Sequence, residues 1–245
     1  MAFKLFSKKK SPKKGHIKHI MSKKKANKTE KKVSHKEVRK IEKIPDKQAY
    51  DILRKYKIPL ADSYFVKNEK ELQLPLKKLG FPVVMKVSGN IMHKTEVGGI
   101  RKDIRNFEDA LKAFRDLIKI NRVDSVLVQR QLSGIELIVG SKRDSQFGHV
   151  IVTGLGGVFV ETLKDVSFRV CPISTQDAEE MVKELKGYEI LKGVRGANSI
   201  NFHSLYETLT KVSRLAISEK IKELDINPLF CNEKECIAAD VRIVK

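Results

Sequence analysis

An α+β fold, built from strand pairs interleaved with single helices, is predicted by three features of the sequence. From residue 45 onward, apolar runs of strand length are bounded by Gly, Pro and Asn. Between them lie segments with apolar residues at helical spacing, two of which open on an Asn with an acidic residue three positions on. Helices and strands do not alternate strictly, which argues against a doubly wound parallel sheet.

Taken in order, Pro45 opens the regular part, and Ala49, Ile52, Leu53 and Tyr56 mark a helix. Residues 63–67 read as a strand. Asn68 and Glu71 then form a helix start, with the helix expected to run to Leu79 and stop at Gly80. Residues 82–87 are a buried strand, and Asn106 with Asp109 opens a helix to about 119. Strands are expected at 125–129, 135–140, 149–153, 158–163 and 168–171, and helices at 177–186 and 205–219. The chain closes with strands at 221–227 and 228–231, a polar turn at 232–235, and one strand at 236–243.

Charge is unevenly placed. The 245 residues carry 50 Lys+Arg against 30 Asp+Glu, a net charge of +20. Residues 1–45 hold 17 basic and 3 acidic residues, so +14 lies there and only +6 in the remaining 200. Residues 1–44 are too polar to bury enough surface to offset ordering entropy and are expected to form a disordered basic extension. Weak nucleic-acid contact is one use for it, although no aromatic residues interleave with the lysines for stacking. No run approaches the roughly 18 apolar residues of a membrane helix, and no apolar stretch follows the basic N-terminus as in a secretory signal. Cys171, Cys231 and Cys236 are odd in number and lack CxxC spacing, so free thiols in a reducing cytoplasm are expected.

Three segments carry chemistry. In the first, Lys86 ends a buried strand, and a polar loop follows with His93, Lys94, Thr95 and Glu96 in succession before Gly98 and Gly99. A lysine so placed suits a phosphate, and paired glycines let backbone approach a ligand. The second runs from Thr153 through Gly154, Gly156 and Gly157 to Glu161 and Arg169. Its glycine turn fits a plain hairpin, and it lacks the signature of a P-loop or a dinucleotide fingerprint. Glu161 within an apolar run requires a cation or a hydrogen-bond partner. In the third, Asp225 and Asn227 are two apart and share a strand face, with Asp240 expected on the next strand. Such oxygen ligands suit Mg²⁺, although a hydrogen-bonded edge hairpin would look the same.

In this order and spacing, PVVMKV…HKTEVGGI, FGHVIVTGLGGVFVETLKDVSFRV and ELDINPLF resemble the ATP-grasp β subunit of ADP-forming acyl-CoA synthetases, the acetate–CoA ligases. The resemblance spans about 45–245. Asn90 stands where the family often has an acid and Thr153 where Phe is frequent, and the basic extension is not a family feature. The resemblance implies an ATP-grasp fold, two α+β subdomains sandwiching the nucleotide, at about 60–125 and 126–245. It implies the reaction acyl-CoA + ADP + phosphate ⇌ carboxylic acid + ATP + CoA through phosphohistidines. It also implies a separate α subunit bearing the CoA site, in an α2β2 assembly, because no CoA-binding segment precedes the ATP-grasp region here.

Residue roles follow from the same resemblance. His93 matches the second phosphohistidine, with Glu161 accepting from its other ring nitrogen. Lys86 would hold nucleotide phosphates, with Gly98 and Gly99 allowing close approach. Gln129 to Leu132 would line the adenine and Glu136 would reach the ribose. Asn227 and Asp240 would hold Mg²⁺ beside ATP or ADP, with Asp225 close by. Lys94 and Arg169 are further candidates for an electropositive site. Two rival readings stand beside this one: another ATP-grasp protein, such as a succinate–CoA ligase β subunit or a regulatory domain, and a nucleic-acid binder acting through its basic extension. A histidine in the 93–96 loop argues against succinate–CoA ligase.

Overall fold

Two antiparallel sheets organise the protein, seen in a computed structural model that describes residues 42–157, 165–194 and 198–245. The basic extension up to residue 41 and the strand expected at 158–163 lie outside the described residues. The first sheet contains β1 (Ser63–Val66), β2 (Val83–Gly89), β3 (Ile100–Ile104) and β4 (Val123–Arg130), in the order β1-β4-β2-β3. Helices α2 (Gln73–Leu79) and α3 (Phe107–Ile118) cover one of its faces. The second sheet contains β5 (Ile135–Asp144), β6 (Gly148–Leu155), β7 (Val166–Val170), β8 (Glu223–Cys231), β9 (Cys236–Ala238) and β10 (Val241–Val244). Its order is β10-β8-β5-β6-β7, with β9 paired to the second half of β8. Helices α1 (Asp46–Lys55), α4 (Thr175–Lys183) and α6 (Phe202–Ser218), with the short α5 (Tyr188–Leu191), share its core. The predicted α+β class is what the chain adopts. No helix among the described residues is long and apolar enough to cross a membrane.

Alternation along the strands decides what faces the site. In β2, Val83, Met85 and Val87 pack with Val126 and Val128 of β4 against α2 and α3. The period of two therefore turns Lys86 to the opposite face, together with Leu127 and Gln129. Leu127 joins the core of the second sheet, so β4 is buried on both faces and ties the two layers together. Behind that sheet, Tyr50 and Leu53 of α1 are fully buried, each worth about 1.5–3 kcal/mol of apolar burial. Tyr50 meets Phe65 of β1 edge-on, with ring centroids 5.7 Å apart.

The helix starts behave as their sequences dictate. Asn68 accepts from Glu71 N at 3.2 Å and Asn106 from Asp109 N at 2.8 Å. The single helix expected from 69 to 79 is, however, broken into a 3-10 turn at Glu69–Glu71 and α2. Pro75 lacks an N–H and would crowd the carbonyl four residues earlier, so regular helix begins only at Gln73. Strand β3 was not expected, because IRKDI is a polar edge strand with no apolar alternation.

The last third departs from expectation in an informative way. The two strands expected at 221–227 and 228–231 are one, β8, carrying an extra residue near Asn227 and Pro228. Leu224 and Ile226 face the core before this bulge, and Leu229 and Cys231 after it, so the bulge shifts the face by one residue. Conversely, the single strand expected at 236–243 is interrupted at Ala239 and Asp240. Backbone groups there turn to other partners: Ala239 N donates to Pro228 O and Asp240 O accepts from Asn227 N.

The thiol expectation is corrected. Cys231 and Cys236 lie opposite each other across the β8–β9 hairpin, Cα atoms 4.1 Å apart, and form a disulfide. A search for CxxC spacing does not detect a cross-strand pair five residues apart. Cys171 alone is free, with burial pushing its thiol up to about 11. Unfolded without reductant, the chain should therefore take up one alkyl group per molecule by mass spectrometry, and three after reduction. Uptake of three without reduction would exclude the disulfide.

Candidate active site

The site lies where the open face of the first sheet meets the Ala239–Asp240 break of the second. Lys86 is buried, and its Nζ donates to Gln129 Oε1 and to Ala239 O, both at 2.8 Å. Gln129 is the diagonal cross-strand neighbour on the same face. Ala239 O also accepts from the Tyr50 hydroxyl at 3.1 Å. Neither of the acceptors of Lys86 is charged. Burial consequently lowers its pKa to about 8, with Asp240 opposing the shift and Lys94 and Lys102 adding to it. Burial, followed by the charges of Asp240 and Asp46, pushes the Tyr50 hydroxyl well above its ordinary value.

A second group of charges fastens the loop between β2 and β3. Lys94 is buried, with Nζ 2.7 Å from Asp240 Oδ1 and 3.6 Å from Asp46 Oδ2. Asp46, at the first turn of α1, is itself buried and meets Lys43 Nζ at 2.8 Å. Lys43 in turn donates to Gly89 O and Ile91 O, at 2.9 and 3.0 Å. Burial works against the charge of Lys94, yet Asp240 and Asp46 hold its pKa above the usual lysine value. Burial also opposes ionisation of Asp240, and Lys94 and Lys86 outweigh it, so its carboxyl lies below the usual range.

The loop residues take distinct places around this cluster. His93 is half-buried and bonds to no side chain among the described residues. Gly98 adopts φ +62° in the turn, and Gly99 N donates to Lys94 O at 2.7 Å. A Cβ on Gly99 would lie 2.5 Å from Val87 Cγ2 and 2.9 Å from Lys94 O, so packing of the loop itself requires a glycine there. Glu136 is half-buried on β5, and its backbone O accepts from Gly156 N at 2.6 Å. A Cβ on Gly156 would meet that same backbone at 2.9 Å, which explains one glycine of the second segment. Leu132 is half-buried in the link between the sheets. Glu161 lies outside the described residues. Arg169 is committed to a pair of contacts with Glu184, at 2.5 and 3.0 Å, on the outer side of β7, which removes it from the phosphate candidates.

Of the three oxygen donors, the structure joins two. The backbone N of Asn227 donates to the backbone O of Asp240 at 3.2 Å, so the two residues are neighbours across β8 and the break before β10. Asp225 instead lies opposite Arg242 of β10, 3.9 Å from its guanidinium. Among the described residues there is no cluster of three or more His, Cys, Asp or Glu for a metal. A carboxylate and a carboxamide on two neighbouring residues are nevertheless the donor types that suit Mg²⁺, which takes one or two protein oxygens and completes its shell with phosphates and water.

A model of the ATP-grasp domain matches residues 35–244. The chain belongs to the ATP-grasp family. It is 43% identical to the beta subunit of acetate–CoA ligase [ADP-forming] I of Pyrococcus furiosus, over 82% of this chain and 91% of that one. The chain is also 43% identical to part of acetate–CoA ligase [ADP-forming] II of Archaeoglobus fulgidus, covering 79% of this chain but 29% of that longer protein. Among solved structures, it is similar to a dinucleotide-forming acetyl-coenzyme A synthetase 1 of Ca. Korarchaeum cryptofilum in complex with coenzyme A and Ca-AMPCP. That match has a TM-score of 0.79 at 37% identity, over 83% of this chain and 93% of that one. Another structure of the same enzyme, with coenzyme A and Mg-AMPPCP and its phosphohistidine segment pointing towards the nucleotide binding site, matches with a TM-score of 0.72. Within the ATP-grasp family, the chain thus falls with the ADP-forming acid–CoA ligases.

Three residues of this cluster carry no signal in the sequence: Lys43, Asp46 and Tyr50. An acid in the first turn of a helix ordinarily reads as a solvated partner of the helix dipole, and Tyr50 as part of an apolar stripe. A lysine with a lowered pKa also sets a pH dependence. Between about pH 8 and 10.5 the unfolded chain binds a proton at Lys86 that the folded chain has lost, so stability rises through that window. Relative to Lys86→Met, urea melts of the wild type should gain up to about 3 kcal/mol on going from pH 7 to pH 10.5. A difference that does not vary with pH would exclude the lowered pKa.

Proposed function

We propose that the chain is the nucleotide-binding β subunit of an ADP-forming acyl-CoA synthetase. With an α subunit, in an α2β2 assembly, it would catalyse acyl-CoA + ADP + phosphate ⇌ carboxylic acid + ATP + CoA. One observation carries the reading: the His93 loop is held against Asp240, beside Asn227, within the same charged cluster that holds Lys86.

In this reading a ring nitrogen of His93 carries the phosphoryl group. Transfer to ADP breaks the P–N bond and forms a bond from phosphorus to a β-phosphate oxygen, returning neutral imidazole. Lys86 supplies positive charge to the phosphates from a fixed position, because two hydrogen bonds hold its ammonium. The Asn227 amide and Asp240 carboxylate would hold Mg²⁺, which when bound offsets phosphate charge. Glu161 would orient the imidazole, and the end of β4 from Gln129 on into the link at Leu132, with Glu136, would receive the nucleoside. The reading places the chain in the cytoplasm with its nucleotide and CoA substrates, and leaves residues 1–44 a weak, salt-sensitive contact with nucleic acid.

The test is to incubate the chain and its α partner with Mg²⁺ and ATP labelled at the γ-phosphate. Acid-labile, base-stable label should map to His93. His93→Ala should lower acyl-CoA-dependent ATP formation by more than about a thousandfold while still binding nucleotide. Asp240→Ala should weaken Mg–ADP binding by about tenfold or more. Nucleotide binding with no label on either subunit would favour a regulatory ATP-grasp domain instead.

A further inference from the structure

The loop carrying His93 is fastened on both sides of that residue. Before it, Ile91 is buried and its carbonyl is held by Lys43. After it, Lys94 is held through its side chain by Asp240 and Asp46 and through its carbonyl by Gly99 N. Between these anchors Met92 is exposed and His93 half-buried. Lys94 itself is no free phosphate ligand here, since its ammonium is buried between two carboxylates.

Resting on the reading of Asp240 as a metal-holding carboxylate, we propose that Lys94 is a positioning residue that latches the His93 loop to Asp240. A divalent ion arriving with the nucleotide competes for that carboxylate, displaces the ammonium and loosens the loop. Two cations at this half-buried carboxylate repel each other, because screening there is weaker than in bulk water. Displacement leaves Lys94 only the 3.6 Å approach to Asp46, whose other oxygen is already engaged by Lys43. Gly98, at φ +62° with open space around it, lies at the far end of the loop and can absorb the change. A phosphoryl carrier that serves two sites needs such a release. Coupling it to the metal would keep the loop docked until nucleotide is loaded.

Hydrogen–deuterium exchange of loop amides 89–99 in the full chain tests this, with Mg–ADP compared against ADP plus chelator. Mg–ADP should accelerate loop exchange by about tenfold. Lys94→Met should show the fast exchange without nucleotide and no further change on adding Mg–ADP, and Lys94→Arg should restore the slow rate. The latch is overturned if Mg–ADP, bound by calorimetry, leaves wild-type loop exchange equal or slower. It is equally overturned if Lys94→Met, folded by circular dichroism, exchanges like wild type. Should that variant not fold, the wild-type comparison decides alone. Failure of Mg–ADP to bind wild type would overturn the proposed function instead, and the nucleotide-free comparison of wild type with Lys94→Met would still decide the latch.

Discussion

Three buried ammonium groups meet one buried carboxylate, Asp46, and one half-buried carboxylate, Asp240, where the sheets come together, and the need to satisfy them constrains everything nearby. Asp46 and Asp240 are each matched to lysines at contact distance, Lys43 and Lys94. Lys86 is the remaining cation and has only neutral acceptors. Buried ion pairs contribute little net stability, because desolvation offsets the attraction, but removing one partner costs about 3–5 kcal/mol. The cluster is therefore better understood as a device for position than as a source of stability. In the proposed reading, its unmatched positive charge is what an incoming phosphate would neutralise.

Local rules build the frame around that cluster. Period-two alternation in β2 and β4 places apolar side chains against α2 and α3 and leaves Lys86 and Gln129 on the other face. The bulge in β8 and the break before β10 then present the backbone carbonyl of Ala239 to Lys86 and the carboxylate of Asp240 to Lys94. Irregularity in the second sheet is thus concentrated where the first sheet delivers its charged side chain.

Much of this was legible in the sequence, for identifiable reasons. Asn68 and Asn106 announce their helices because a side-chain acceptor at that position satisfies a backbone donor. Lys86 and the 93–99 loop stand out because a charge ends an apolar run and two glycines close a polar loop. What escaped was set by tertiary partners. Asp46 is unremarkable until Lys94, 48 positions away, reaches it. Strand β3 has no apolar signature, and the break at Ala239 exists because Lys86, Tyr50 and Asn227 draw its backbone groups away from the ladder. The Cys231–Cys236 pair needed the hairpin register, which the odd cysteine count concealed.

The carbonyl oxygen of Ala239 accepts from Lys86 on the first sheet and from Tyr50 on α1. With two donors attached from different elements, that one atom ties β2 and α1 to the break before β10. Losing either donor would strand a buried polar group, at a cost of about 1–3 kcal/mol.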